Sequence, residues 1–241
     1  MSMLYVVATP IGNLEDITYR AVRILGEVDV VAAEDTRQTR KLLDRYGINP
    51  PMVISCRARN EEASSRGIVK LLEEGKTLAY VSDAGTPGVS DPGSRLAASV
   101  REAGFPVIPL PGASASTALV SIAGLPGKGF VFEGFLSPKG GRRRSRLKAL
   151  LETKMPFVLY ESPYRVTKLL GDLVELAPGR NLLLGREMTK KFEEFLSGFP
   201  SQVLEVLAER GTLKGEFALI VAATDSLEEE SEKFAFSDSA G

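Results

Sequence analysis

Residues Val81 to Gly93 read VSDAGTPGVSDPG. The apolar run TLAYV, from Thr77, leads into them and predicts a buried strand that stops at Ser82-Asp83, where Gly, Thr and Pro arrive together. Such a break at a strand end predicts a sharp loop with exposed backbone N–H groups. In open α/β sheets, ligands bind outside the carboxyl ends of the strands. The loop is therefore a candidate floor under a small molecule; a plain βα turn with Pro-Gly punctuation is the alternative, and this stretch alone does not separate the two.

Outward from it the chain alternates. LYVVA from Leu4, VDVVAAED from Val28, PMVIS from Pro51 and PVIPLP from Pro106 read as further strands. Helical patterns fall between them, over Ile17 to Leu25, from Thr36 (with Thr36 as N-cap), over Glu61 to Glu74 and over Ser94 to Ala103. Strands alternating with helices imply a mostly parallel sheet. Thr9-Pro10, Glu34-Asp35-Thr36, Ser82-Asp83 and Pro111-Gly112 then stand at the carboxyl ends of strands. If the strands are parallel these ends converge on one edge, which argues for a ligand site there. Helix capping accounts for Thr36, but not for a doubled acid followed by Thr-Arg.

PGASASTALVSIAGLPGKG, from Pro111, is rich in small residues and reads as the crossing between domains. Beyond it, FVFEGF from Phe130, PFVLYES from Pro156, NLLLGREM from Asn181 and EFALIVAA from Glu216 read as strands, with helices near Arg142–Glu152, Tyr164–Leu176 and Ser201–Glu209. The expected organisation is an N-terminal α/β domain over 1–112, a C-terminal α/β domain over 113–224 and an acidic tail over 225–241. From Asp225 on there are six acids and one base, without apolar period, which predicts disorder there. The first 224 residues carry +4.

The 241 residues include one cysteine, Cys56, and no histidine. That excludes an intrachain disulfide framework, histidine–carboxylate metal sites and histidine-based triads. No metal-ligand cluster is legible. Proton chemistry falls to Asp, Glu, Lys, Tyr, Arg or the ligand. The longest apolar runs, such as FALIVAA from Phe217, are far short of the ~20 residues a membrane span needs, and the expectation is a cytoplasmic protein.

Familiar nucleotide signatures fail. Gly75-Lys76-Thr77 resembles the end of a phosphate loop, but the position five before Gly75 is Lys70, and no G-x-G-x-x-G occurs. KGGRRRSRLK, from Lys139, holds six bases and no acid. Cations at a helix N-terminus oppose the macrodipole. That placement costs stability, so a phosphate-binding role for Lys139, Arg142, Arg143, Arg144 and Arg146 stands beside the plain reading of a solvated helix start. GREMTKKFEEF, from Gly185, is either an ion-pair network or the wall of a site.

These motifs, in this order, resemble the tetrapyrrole-methylase fold class of S-adenosylmethionine-dependent (class III) methyltransferases, and within it the ribosomal RNA small subunit methyltransferase I family. The resemblance is carried by TPIGNLEDIT at Thr9, AAEDTRQTRKLL at Ala32, VSDAGTPGVSDPG at Val81, PLPGASAS at Pro109, EGFL at Glu133, YESPYR at Tyr160, GREMTK at Gly185 and KGEFALIV at Lys214. It implies two α/β domains with the cofactor in the cleft between them, and a homodimer. It also implies methyl transfer to the ribose 2′-oxygen of a cytidine in the decoding region of 16S rRNA, on the 30S subunit. Cofactor contacts are implied at Pro10, Ile11, Asp83, Ala84, Gly85, Thr86, Pro87, Ser114 and Ala115, and more weakly at Glu161, Arg186 and Glu216. The chain departs from the family's pattern at CRARNE from Cys56 and at Tyr164, where relatives often carry histidine.

For a ribose hydroxyl to act as nucleophile, a carboxylate must take its proton or a cation must steady the developing alkoxide. Glu34 and Asp35 are the candidates for the first role, and Arg37 or Lys190 for the second; binding and orienting the substrate is an equal reading of the two acids. A methylase of tetrapyrrole intermediates and a non-catalytic RNA-binding assembly factor are the rival functions. The basic run argues against the first, and the loops at Thr9 and Val81 argue against the second.

Overall fold

The computed structural model describes residues 1–125 and 129–224. The acidic tail, and Pro126 to Lys128 of the small-residue stretch, lie outside the described residues. The chain divides into two compact units, Met1–Ser114 and a second starting at Ala115.

The first unit is built on a five-stranded, wholly parallel sheet of order β3-β2-β4-β1-β5: β1 (Leu4–Val7), β2 (Val30–Ala33), β3 (Met52–Ser55), β4 (Leu78–Val81) and β5 (Val107–Leu110). Every residue of β2 and β4 is buried, as expected of apolar strands covered on both faces. On one face α1 (Tyr19–Glu27) and α2 (Thr36–Arg45) bring Ala21, Ile24, Leu25 and Leu43 against Val7, Val31, Ala79 and Val81. On the other, α3 (Glu61–Glu73) and α4 (Ser94–Glu102) bring Ile68, Leu72, Leu96 and Val100 against Leu4, Val30, Leu78 and Tyr80. Right-handed crossovers require this division. The chain moves one way across the sheet from β1 to β3 and the other way from β3 to β5, so its helices change faces. Neighbours β1 and β4 therefore lead into helices on opposite faces, and a crevice opens at their carboxyl ends.

One cap differs from the expectation. Asp35, not Thr36, is the N-cap of α2: its backbone is extended (φ −118°, ψ 109°) and its carboxylate accepts the Arg37 N–H, while Thr36 is already helical.

The second unit holds a mixed sheet of order β6-β7-β10-β8-β9. Its strands are β6 (Val131–Phe135), β7 (Phe157–Glu161), β8 (Leu182–Arg186), β9 (Glu194–Gly198) and β10 (Phe217–Val221). β6 and β7 are parallel, and every other pairing is antiparallel. β9, an edge strand closing a hairpin on β8, has no counterpart in the sequence reading, because EFLSG carries a charge and a glycine and leaves its outer side exposed. Helices α6 (Gly140–Glu152), α7 (Val166–Leu176) and α8 (Pro200–Ala208) cover one face, packing Leu147, Leu150, Leu169, Leu173, Val203 and Leu207 on Phe157, Leu159, Leu184 and Leu219. The short α5 (Ala115–Ile122) lies on the other, where a side chain at Gly185 would meet Leu119 at 3.2 Å. A bulge in β6 between Phe132 and Gly134 turns both Phe132 and Phe135 onto the Tyr160 ring, at 5.1 and 5.8 Å in edge contacts.

Among the described residues no helix is long and apolar enough to cross a membrane.

Candidate active site

Since all five strands of the first sheet are parallel, the polar ends of β1, β2, β4 and β5 do share one edge. Hydrogen bonds tie them together there. The Thr9 N–H donates to Gly85 O at 2.8 Å and the Gly85 N–H to Thr9 O at 2.9 Å, a one-pair antiparallel bridge between the loops after β1 and β4. The buried Thr9 hydroxyl reaches Ser82 O at 3.4 Å. The Thr86 hydroxyl donates to Ala113 O at 3.1 Å, joining the loop after β5. Gly85 has φ +73°, and a Cβ there would stand 3.4 Å from Ile11 Cγ2. A Cβ on Gly112 would come within 2.9 Å of Ala8 Cβ. The glycines let three loops approach one another more closely than side chains permit.

Only some of the loop's backbone N–H groups are taken up within the protein. The N–H groups of Gly85, Gly88 and Val89 bond to Thr9 O, Pro92 O and Thr86 O, and that of Asp83 to Glu34 Oε2. Gly93 and Leu96 donate to Glu61 Oε1 at 2.9 and 3.3 Å, so a carboxylate from the start of α3 caps α4. These bonds hold the loop's shape. Along it Asp83 and Ala84 are exposed, as are Gly88, Val89 and Ser90; Ile11, Thr86 and Ser114 are half-buried, and Pro10, Gly85 and Pro87 are buried.

Glu34 and Asp83 are interlocked. Glu34 Oε2 accepts the Asp83 N–H at 3.4 Å, while Asp83 Oδ1 accepts the Asp35 N–H at 2.9 Å. Burial, reinforced by the charge of Asp83 and then of Asp91 and Asp35, lifts the Glu34 carboxyl above the usual carboxylate range. Asp35 goes the other way. The Arg37 side chain, donating from Nε and Nη2 at 3.1 and 2.7 Å, and the Arg37 backbone N–H hold its carboxyl far below that range. Of the two acids proposed from sequence, Glu34 thus carries the raised carboxyl, and Asp35 is an N-cap and ion-pair partner. Arg37 is largely exposed and engaged by Asp35.

Sequence reasoning missed Asp91 and Glu61. The doubled Ser-Asp of the loop, Ser82-Asp83 and Ser90-Asp91, was a usable signal for the first. Glu61 acts across 32 residues and leaves none. Cys56 is buried, and burial pushes its thiol up, away from nucleophilic character.

In the second unit the proposed residues sit at strand ends in ion pairs. Buried Glu161 accepts from the Ser162 N–H at 2.7 Å and pairs with Arg165 at 2.8 Å. Arg186 donates to Lys214 O at 2.9 Å and pairs with Glu194, which Arg210 also grips. Lys190 lies 2.9 Å from both Glu187 and Glu216. Burial works against its charge, but hydrogen bonds to Glu216 and Glu187 outweigh it and raise the ammonium above its ordinary value. Ala115 opens α5, and the next residue's N–H donates to the Tyr160 hydroxyl at 2.9 Å.

The basic run is less free than its sequence suggests. Arg143 is buried and donates to Asp172 at 2.6 Å. Arg144 bonds Asp172 at 3.0 Å and Glu175 at 2.7 Å, and Arg146 binds Glu133 through two hydrogen bonds. Acids of α7 and β6 thus offset the cost of cations at the start of α6. Lys139 and Arg142 remain exposed, with no ion pair among the described residues.

The family model for Tetrapyrrole (Corrin/Porphyrin) Methylases matches residues 3–203. A protein of Neisseria meningitidis serogroup B, named Ribosomal RNA small subunit methyltransferase I, is 48% identical over 219 residues, 90% of this chain and 75% of its own. One of the same name from Borrelia garinii subsp. bavariensis is 46% identical over 225 residues, 93% of this chain and all of its own. Among solved structures, diphthine synthase superposes with a TM-score of 0.73 at 17% identity, covering 95% of this chain and 94% of that one. Uroporphyrin-III C-methyl transferase from Thermus thermophilus, complexed with S-adenosyl homocysteine, gives 0.61 at 19%, covering 91% and 97%. At those identities the structures speak for the fold alone. The sequence relatives and the family model go further: the chain belongs to the tetrapyrrole methylases, in the ribosomal RNA small subunit methyltransferase I family.

Proposed function

We propose that the protein transfers a methyl group from S-adenosylmethionine to small-subunit ribosomal RNA, at the ribose 2′-oxygen of a cytidine in the decoding region. The observation that carries the reading is the interlocked Thr9–Gly85 and Glu34–Asp83 pairs at the crevice between β1 and β4, in a chain nearly half identical to proteins of that name. The donor set suits the cofactor. The crevice is rimmed by Glu34, Asp83 and Asp91, which favour a cationic sulfonium and disfavour a phosphate.

When bound, S-adenosylmethionine supplies a methyl group already activated on sulfur. The chain's task is then alignment and removal of one proton. Glu34 would take the proton of the ribose hydroxyl as its oxygen accepts the methyl group that the bound cofactor would supply. Asp83, through its N–H, fixes the Glu34 carboxylate, and Asp35 holds the start of α2 in register beside it. Lys139 and Arg142 supply phosphate contacts without sequence selectivity. A ribosomal substrate places the protein in the cytoplasm, and we take the working form as a homodimer.

The direct test is transfer of labelled methyl to 30S particles, naked 16S rRNA and precorrin, side by side. Label in ribose of a 16S cytidine is expected. Label in precorrin alone, or none with intact cofactor binding, overturns the reading.

A further inference from the structure

The second sheet carries a feature that methyl transfer itself does not use. β7 and β8 are each antiparallel to β10, and β6 is parallel to β7. The carboxyl ends of β6, β7 and β8 therefore lie on one edge, across three strand spacings or about 14 Å. An exposed aromatic stands at each: Phe135, the last residue of β6, at 55% exposure; Tyr164, in the turn after β7, at 85%; and Phe192, in the turn after β8, at 66%. Large apolar surface left in water three times along one edge calls for a partner.

Charge identifies its chemistry. The carboxylates of these strand ends and turns are engaged: Glu133 by Arg146, Glu161 by Arg165, Glu187 and Glu216 by Lys190, and Glu194 by Arg210. Glu193 accepts the Thr189 N–H at 2.6 Å. The exposed cations Lys139, Arg142 and Lys191 have no ion pair among the described residues, and the Lys191 ammonium stands 5.7 Å from the centre of the Phe192 ring. Aromatic faces interleaved with free cations are the features by which proteins hold unpaired nucleic acid, stacking bases while the cations follow the phosphates. A protein partner would be expected to meet matched charges of both signs.

We infer that this edge is a stacking platform for single-stranded RNA, with Phe135, Tyr164 and Phe192 each able to take a base and Lys139, Arg142 and Lys191 tracking the backbone. The inference rests on the proposed RNA substrate and adds how the strand flanking the target is held. The turn after β8 is built to project Phe192: Glu187 and Thr189 adopt left-handed backbone (φ 50° and 66°), and Lys190 pins the turn to Glu187 and Glu216.

The test uses the full chain, a fluorescein-labelled mixed-sequence single-stranded RNA of about twelve nucleotides and the duplex it forms with its complement. Stacking on one aromatic contributes about five- to a hundredfold in affinity. Tyr164→Ala and Phe192→Ala are each expected to weaken single-strand binding about tenfold or more. Duplex binding, the salt slope and cofactor binding should stay as in wild type. Lys191→Ala should lower the salt slope instead. If wild type methylates 30S particles yet both aromatic variants bind the single strand like wild type, the platform is wrong while the function stands. If those variants lose self-association in sedimentation and keep RNA affinity, the edge is a protein interface and the inference falls. If wild type neither methylates nor binds RNA, the functional reading fails first and takes the platform with it.

Discussion

The backbones of Thr9 and Gly85 exchange two hydrogen bonds, at 2.8 and 2.9 Å, and so lock the loop after β1 to the loop after β4. Seventy-six residues separate them in sequence, and the parallel sheet alone makes them neighbours. Gly85 uses both its N–H and its carbonyl on Thr9, and the absence of a side chain there leaves room for Ile11.

Gly85→Ala tests that point. The new Cβ would have to adopt left-handed backbone and press on Ile11 Cγ2 at 3.4 Å. A loss of about 1 to 2 kcal/mol in stability is expected from the backbone alone, read by urea denaturation. Affinity for S-adenosylmethionine, by calorimetry, is expected to fall at least tenfold. Unchanged affinity in a folded variant would place the cofactor elsewhere.

Glu34→Gln tests the proton acceptor. Loss of a general base costs about 10²- to 10⁴-fold in turnover, whereas cofactor affinity is expected to hold within a few-fold. The wild-type profile of kcat/KM should show an acid limb above the usual carboxylate range, because burial and the Asp83 charge favour the protonated form of Glu34. Asp83→Asn removes that charge and keeps the acceptor oxygen for the Asp35 N–H, so the limb should move to lower pH. The stability linkage has the same sign. A carboxyl whose folded pKa is raised contributes stability that is present below its unfolded value and lost as pH rises through the folded one. Glu34→Gln should flatten that decline.

Asp35→Ala should behave differently. Its carboxylate caps α2 and binds Arg37, and loss of an N-cap costs about 1 kcal/mol. Turnover should fall much less than in Glu34→Gln. A drop as large as that of Glu34→Gln, at equal stability, would restore Asp35 as the base.

Which parts of this arrangement could be read from the chain follows from how far apart the interacting groups lie. The edge that gathers Thr9, Glu34, Ser82 and Pro111 was legible, because continuous apolar strands ending in polar residues imply a parallel sheet and a common edge. The cap of α2 was misplaced by one residue, since Asp35 and Thr36 are both good caps and only the backbone angles at Asp35 decide. Strand β9 was not visible, because half-exposed EFLSG has no run to announce it. Arg143 read as a free cation, because Asp172, its partner 29 residues on, is brought to it only by the packing of α6 on α7.

That last pair separates two neighbouring arginines. Arg143 is buried, its Nε 2.6 Å from Asp172, whereas Arg142 is exposed. Removing one partner of a buried pair leaves an uncompensated charge and costs about 3 to 5 kcal/mol. Arg144, also bound to Asp172 at 3.0 Å, should hold Arg143→Ala to about 3 kcal/mol, measured by denaturation. Arg142→Ala should leave stability within about 0.5 kcal/mol and lower the salt slope of RNA binding by nearly one ion. The reverse pattern, with Arg143→Ala stable and weak in RNA binding, would mean that the Asp172 pair opens to release its arginine to phosphate.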